Sequence, residues 1–148
     1  MSLIETINQD LTAALKDKQA DRLQVLRLLK TAFVNEKIKV GHELDEAEAL
    51  KVVQREAKQR RDSITQYQSG GREDLAAAEQ AELAVIEEYL PQQLSQDELG
   101  QLVDQVVADL GATGPAQMGQ VIGEVIKRAA GQTDGAAVSA AVRAKLQS

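Results

Sequence analysis

Apolar residues recur every three or four positions along almost the whole chain, and no stretch alternates like a half-buried strand. The spacing predicts a first helix from about Leu3 to Lys16, with Ile4, Ile7, Leu11, Ala14 and Leu15 on its inner face. A second runs from about Asp21 to Val40, burying Leu23, Leu26, Leu29 and Phe33, with Val40 at its end. Gly41 suits the position just past a helix, and Gly41 to Leu44 make a short connection. Asp45 is a good N-cap with Glu48 three residues on, and the third helix then reaches about Tyr67 through Leu50, Val53, Ala57 and Ile64. Gly70-Gly71 breaks it. The fourth helix, from about Arg72, carries Leu75, Leu83, Ile86, Tyr89 and Leu90. Pro91 ends it, because the residue before a proline resists helical geometry.

Pro91 to Leu94 reads as a joint. Ser95, with Glu98 three residues later, caps a fifth helix whose stripe is Leu99, Leu102, Val103, Val106 and Leu110, closed by Gly111. Gly114-Pro115 opens a sixth, since a proline loses nothing in a first turn. Its inward residues are Met118, Val121, Ile122, Val125, Ile126 and Ala129, and Gly131 follows. Asp134 starts a seventh, alanine-rich helix with Val138, Val142 and Leu146 inward. The expectation is an all-α protein: an N-terminal bundle of about four helices over residues 1–91, then a small three-helix domain over residues 95–148.

Composition narrows the chemistry. Of 148 residues, 43% are hydrophobic, enough to bury a core, and the 2% aromatic content argues against an all-β fold. There is no cysteine, hence no disulfide, thiol nucleophile or thiolate-held metal. His42 is the only histidine, too few for an ordinary zinc site, and no metal or other cofactor is expected. The apolar runs fall well short of the roughly 20 residues a membrane span needs. Met1 to Glu5 shows no basic stretch leading into an apolar one, so a cytoplasmic chain is expected. The net charge of −6 speaks against indiscriminate nucleic-acid binding but leaves room for a local basic face.

Several strings together resemble the YqeY-like family: Lys58-Gln59-Arg60-Arg61-Asp62-Ser63-Ile64, Gly71-Arg72-Glu73-Asp74-Leu75 and Glu88-Tyr89-Leu90-Pro91-Gln92-Gln93-Leu94-Ser95. Leu26-Arg27-Leu28-Leu29 and Met118-Gly119-Gln120-Val121-Ile122-Gly123 add to it, so the resemblance spans nearly the whole chain. It implies an all-α protein whose tail is similar to the C-terminal domain of GatB, a subunit of the tRNA-dependent amidotransferase. The implied role is tRNA binding, or association with tRNA-charging or amidotransferase machinery. A carbon–nitrogen ligase activity with glutamine as amido donor is implied by the resemblance alone, and a shared fold is not a shared function. Where the family pattern is often basic, this chain has neutral Gln120 and Gln132.

The residues themselves favour a non-catalytic role. No phosphate-cradling G-x-x-x-x-G-K-[ST] and no G-x-S-x-G nucleophile turn occurs. The acids are spread along solvated faces, and His42 reads as an exposed loop residue. Lys51, Arg55, Lys58 and Arg61 recur along one line of the third helix, with Arg72 beyond the glycine pair. They fit either a phosphate-tracking stripe or a solvated face paired with acids such as Glu79 and Glu82. Arg60 falls on the buried seam, and a structural ion pair with an acid of the fourth helix is expected there. In the sixth helix Gly119 and Gly123 form one ridge with Lys127, and Arg128 adds charge beside it. Two glycines weaken a helix, so something should offset them. Close packing of another helix, with the alanine-rich last one at hand, is the favoured account, and approach of a ligand backbone is the other. A helical protein–protein adaptor without RNA contact is the competing function.

Overall fold

Helix starts follow local hydrogen-bond chemistry in the computed structural model, which describes residues 1–147. Three carry reciprocal capping boxes. Ser2 Oγ accepts from Glu5 N–H at 3.1 Å before α1 (Leu3–Lys16), and Asp45 Oδ1 accepts from Glu48 N–H at 2.8 Å before α3 (Glu46–Ser69). Ser95 Oγ accepts from Glu98 N–H at 3.1 Å before α5 (Gln96–Leu110). Each satisfies amides that the first helical turn leaves without partners. α2 (Ala20–Val40) ends at Gly41, whose φ of 81° is open to glycine at little cost. α4 (Glu73–Glu87) stops three residues short of Leu90, and Glu88 to Leu90 turn into Pro91.

Pro115 does not open the sixth helix directly. It begins a 3-10 turn, Pro115–Gln117, and α6 (Met118–Ala129) follows. The Gln117 side chain curls back to accept from the Thr113 amide at 2.6 Å, which tightens the entry. At the other end Ala130 adopts a left-handed φ of 48°, and Gly131 follows at 88°. Asp134 Oδ1 then accepts from Ala137 N–H at 2.7 Å to start α7 (Gly135–Gln147). No strand occurs among the described residues.

The chain divides into two compact units, Met1–Leu90 and Pro91–Ser148. In the first, α1 packs along α2 and α3 along α4. Ile7, Leu26, Leu29, Val52, Val53 and Ile86 are the large, fully buried members of its core. In the second, α5, α6 and α7 enclose Val103, Val106, Val121, Val125, Val138 and Val142. The segment expected as a joint is tied to the tail's own α6–α7 loop. The Leu94 amide donates to the Gln132 carbonyl at 2.7 Å, and Gln93 Nε2 donates to the Gly131 carbonyl at 3.1 Å.

Three residues expected inside lie outside: Leu15, Leu110 and Ile126 are exposed. Leu15 and Leu110 sit in the last turns of their helices, where periodicity continues but no neighbour covers it. Val25 and Val52, at the edges of their stripes, are buried instead.

A polar cluster holds the end of the first unit. Tyr89 Oη donates to Asp10 at 2.6 Å and accepts from Arg22 at 3.1 Å, while Arg22 pairs with Glu88 at 2.6 Å. One residue of α1 and one of α2 thereby grip the turn that follows α4. Burial, then the hydrogen bond to Asp10, holds the Tyr89 proton on well above the ordinary tyrosine range. Tyr89→Phe is expected to cost about 1–2 kcal/mol, below the full value of a charge-assisted bond because Asp10 and Arg22 are partly solvated. Denaturant titration of the variant beside wild type measures it. The folded state holds this proton more tightly than the unfolded chain, so its contribution is intact below about pH 10 and declines as pH rises above that.

Candidate nucleic-acid interface

Lys51, Arg55 and Lys58 of α3 are exposed, but the basic row is not uniformly available. Lys51 and Lys58 are exposed and make no ion pair among the described residues. Arg55 is held by Glu36 of α2 at 3.2 Å, and Arg61 is half-buried. Arg72 is closed onto Asp74 in a two-pronged contact of 3.1 and 3.2 Å. A paired guanidinium must exchange one anion for another to meet a phosphate, whereas an unpaired ammonium exchanges only water and counterions. Lys51 and Lys58 are therefore the cations of this row that could meet an outside anion at least cost.

Arg60 is the expected structural pair. Its guanidinium bonds Glu56 at 3.0 Å and Glu82 of α4 at 3.3 Å, and its side chain is only 12% exposed. Two carboxylates compensate one desolvated cation where α3 and α4 meet. His42 is exposed in the α2–α3 loop. Its Nδ1 donates to the Glu43 carbonyl at 2.8 Å, and that bond, with Glu48 3.6 Å from Nε2, favours the protonated ring.

The glycine ridge of α6 overturns the packing account. Gly119 and Gly123 are exposed, and a Cβ built on either meets no atom within 4 Å. The alanine-rich α7 does not cover them. Neither has a positive φ, so the backbone does not call for glycine either. Lys127, one turn beyond, is exposed without an ion pair among the described residues. Arg128 differs, being clamped by Asp109 at 2.7 Å and Glu124 at 3.0 Å. Ile126, 47% exposed, stands beside the ridge. α6 thus presents bare helix backbone, one apolar side chain and one available cation to solvent. This surface was legible as a ridge from the four-residue glycine spacing, but its exposure was not.

Among the described residues no group of three His, Asp or Glu side chains is placed to hold a metal ion, and no helix is long and apolar enough to cross a membrane.

The family model described as Yqey-like protein matches residues 4–146. A relative from Meyerozyma guilliermondii, altered inheritance of mitochondria protein 41, mitochondrial, is 33% identical over 129 residues, covering 83% of this chain and 68% of its own length. Its namesake from Kluyveromyces lactis is 32% identical over 127 residues, covering 82% and 68%. Both relatives are mitochondrial proteins, which overturns the cytoplasmic expectation. That expectation rested on composition and the first few residues, and a chain that dissolves in one aqueous compartment has the same charge and hydropathy pattern as one that dissolves in another.

Proposed function

The chain belongs to the YqeY-like family, and on that premise we propose that it is a non-catalytic protein that binds folded tRNA in support of tRNA-charging or amidotransferase machinery. The observation that carries this reading is the α6 ridge. Two helix-weakening residues stand in open solvent with no backbone or packing reason to be glycine, beside an unpaired lysine. A bare helix ridge admits a sugar–phosphate backbone closer than any side chain allows. The resemblance read in the sequence, which implies a GatB-like tail, points to the same ligand. Lys51 and Lys58 on α3 add a second, purely electrostatic contribution. The tail has four basic residues against six acids, so recognition rests on shape and close approach rather than on a strong field.

Titration of folded tRNA across a salt series tests the reading. Contacts from Lys51, Lys58 and Lys127 release counterions at roughly 0.7–0.9 per contact, so the log–log slope is expected near −2 to −3. Lys51→Glu with Lys58→Glu is expected to flatten the slope by about 1.5 and leave helicity unchanged. Absence of retention by the wild-type chain at low salt removes tRNA as its ligand.

A further inference from the structure

A second surface lies on α2, away from the residues of the tRNA reading. Val34 and Ile38, one turn apart, are 48% and 73% exposed, an unusual pair to leave in water. Beside them opens a cleft of about 180 Å³ lined by Ile4 and Asn8 of α1, by Lys30, Phe33, Val34 and Lys37 of α2, and by Glu43 and Leu44 of the following loop. Its size matches the roughly 150 Å³ cavity that admits a benzene-sized group.

The charges around this ridge are basic. Arg27, Lys30 and Lys39 make no ion pair among the described residues, and Lys37 is shared with Glu43 at 2.5 Å. Glu36, the acid on this stretch of α2, is turned to Arg55 and is largely covered. Helical spacing puts Lys30 and Lys37 on the cleft side of the ridge and Arg27 in line ahead of it, while Lys39 lies on the far side of α2. A chain with a net charge of −6 thus carries an apolar ridge with cations beside and ahead of it and a hole for one large side chain.

We propose that this face of α2 is a docking site for an acidic amphipathic helix of a partner protein, which seats one large apolar residue in the cleft between α1 and α2 and sets carboxylates against Arg27 and Lys30. The cleft decides against a lipid surface, because a bilayer is locally flat and supplies no knob to fill a hole. The flanking cations decide against a second copy of the same face, which would set lysine against lysine. The inference does not depend on tRNA binding.

Panning a displayed library of random 16-residue peptides on the full chain tests it, with Ile38→Asp protein as the counter-selection. Ile38 and Lys30 are exposed, so Ile38→Asp and Lys30→Glu are expected to keep wild-type circular dichroism and melting temperature. The expected enrichment is of peptides with apolar residues at i and i+3 or i+4 and a net negative charge. A synthetic copy of the leading sequence is expected to bind wild type and to lose at least tenfold in affinity with either variant. Failure to enrich, enrichment without an acidic excess, or binding indifferent to both variants overturns the proposal. So does co-flotation with phosphatidylglycerol vesicles that Ile38→Asp abolishes, which assigns the face to lipid. Loss of tRNA retention in Ile38→Asp assigns it to RNA, and a change in sedimentation assigns it to self-association.

Discussion

Replacing Gly119 and Gly123 together by alanine is expected to stabilise the protein and, on the proposed function, to weaken tRNA binding. The two effects have separate causes. Both residues lie in α6 with helical backbone and open space where a Cβ would stand. Alanine therefore adds no clash and removes the entropic cost of glycine. The gain is about 1 kcal/mol at the mid-helix Gly123 and a fraction of that at Gly119, next to the helix start. The methyl groups meanwhile hold an approaching backbone away from the ridge. Leucine at both positions keeps most of the stability gain and is expected to abolish tRNA retention. Thermal melts and tRNA titrations on the same two variants give the comparison. A fall in melting temperature in the alanine variant would mean that the ridge is packed in solution, and unchanged tRNA retention in the leucine variant would move the contact away from α6.

Leu26→Ala and Leu15→Ala are expected to differ by several kcal/mol although both positions follow the helical period of their segments. Leu26 is fully buried among α1, α2 and α3 core residues, so truncation loses its transfer free energy and leaves a cavity, a cost of about 2–5 kcal/mol. Leu15 is 54% exposed in the last turn of α1, and its truncation should stay within about 0.5 kcal/mol. Denaturant midpoints of the two variants measure the difference. A large loss in Leu15→Ala would place that side chain in a packed environment.

The capping boxes at Asp45 and Ser95 and the breaks at Gly41, Gly70-Gly71 and Gly111 were legible in the sequence alone, because a cap is decided by residues three or four apart. The box at Ser2 and Glu5 carried the same signal and shows the same geometry. Arg60 was legible too, since a charge on a buried seam must find an acid, and α4 supplies Glu82. Tertiary structure alone decided which ends of the stripes are covered, since periodicity names a face but not whether another helix reaches it. Leu15, Leu110 and Ile126 are exposed for that reason. The same limit applies to charge. The row from Lys51 to Arg72 is basic by spacing, but Glu36 and Asp74, from α2 and the start of α4, neutralise two of its members. The glycine ridge shows the division most sharply: four-residue spacing on one helix put Gly119, Gly123 and Lys127 in line, and only the absence of a neighbour across from them made that line a surface.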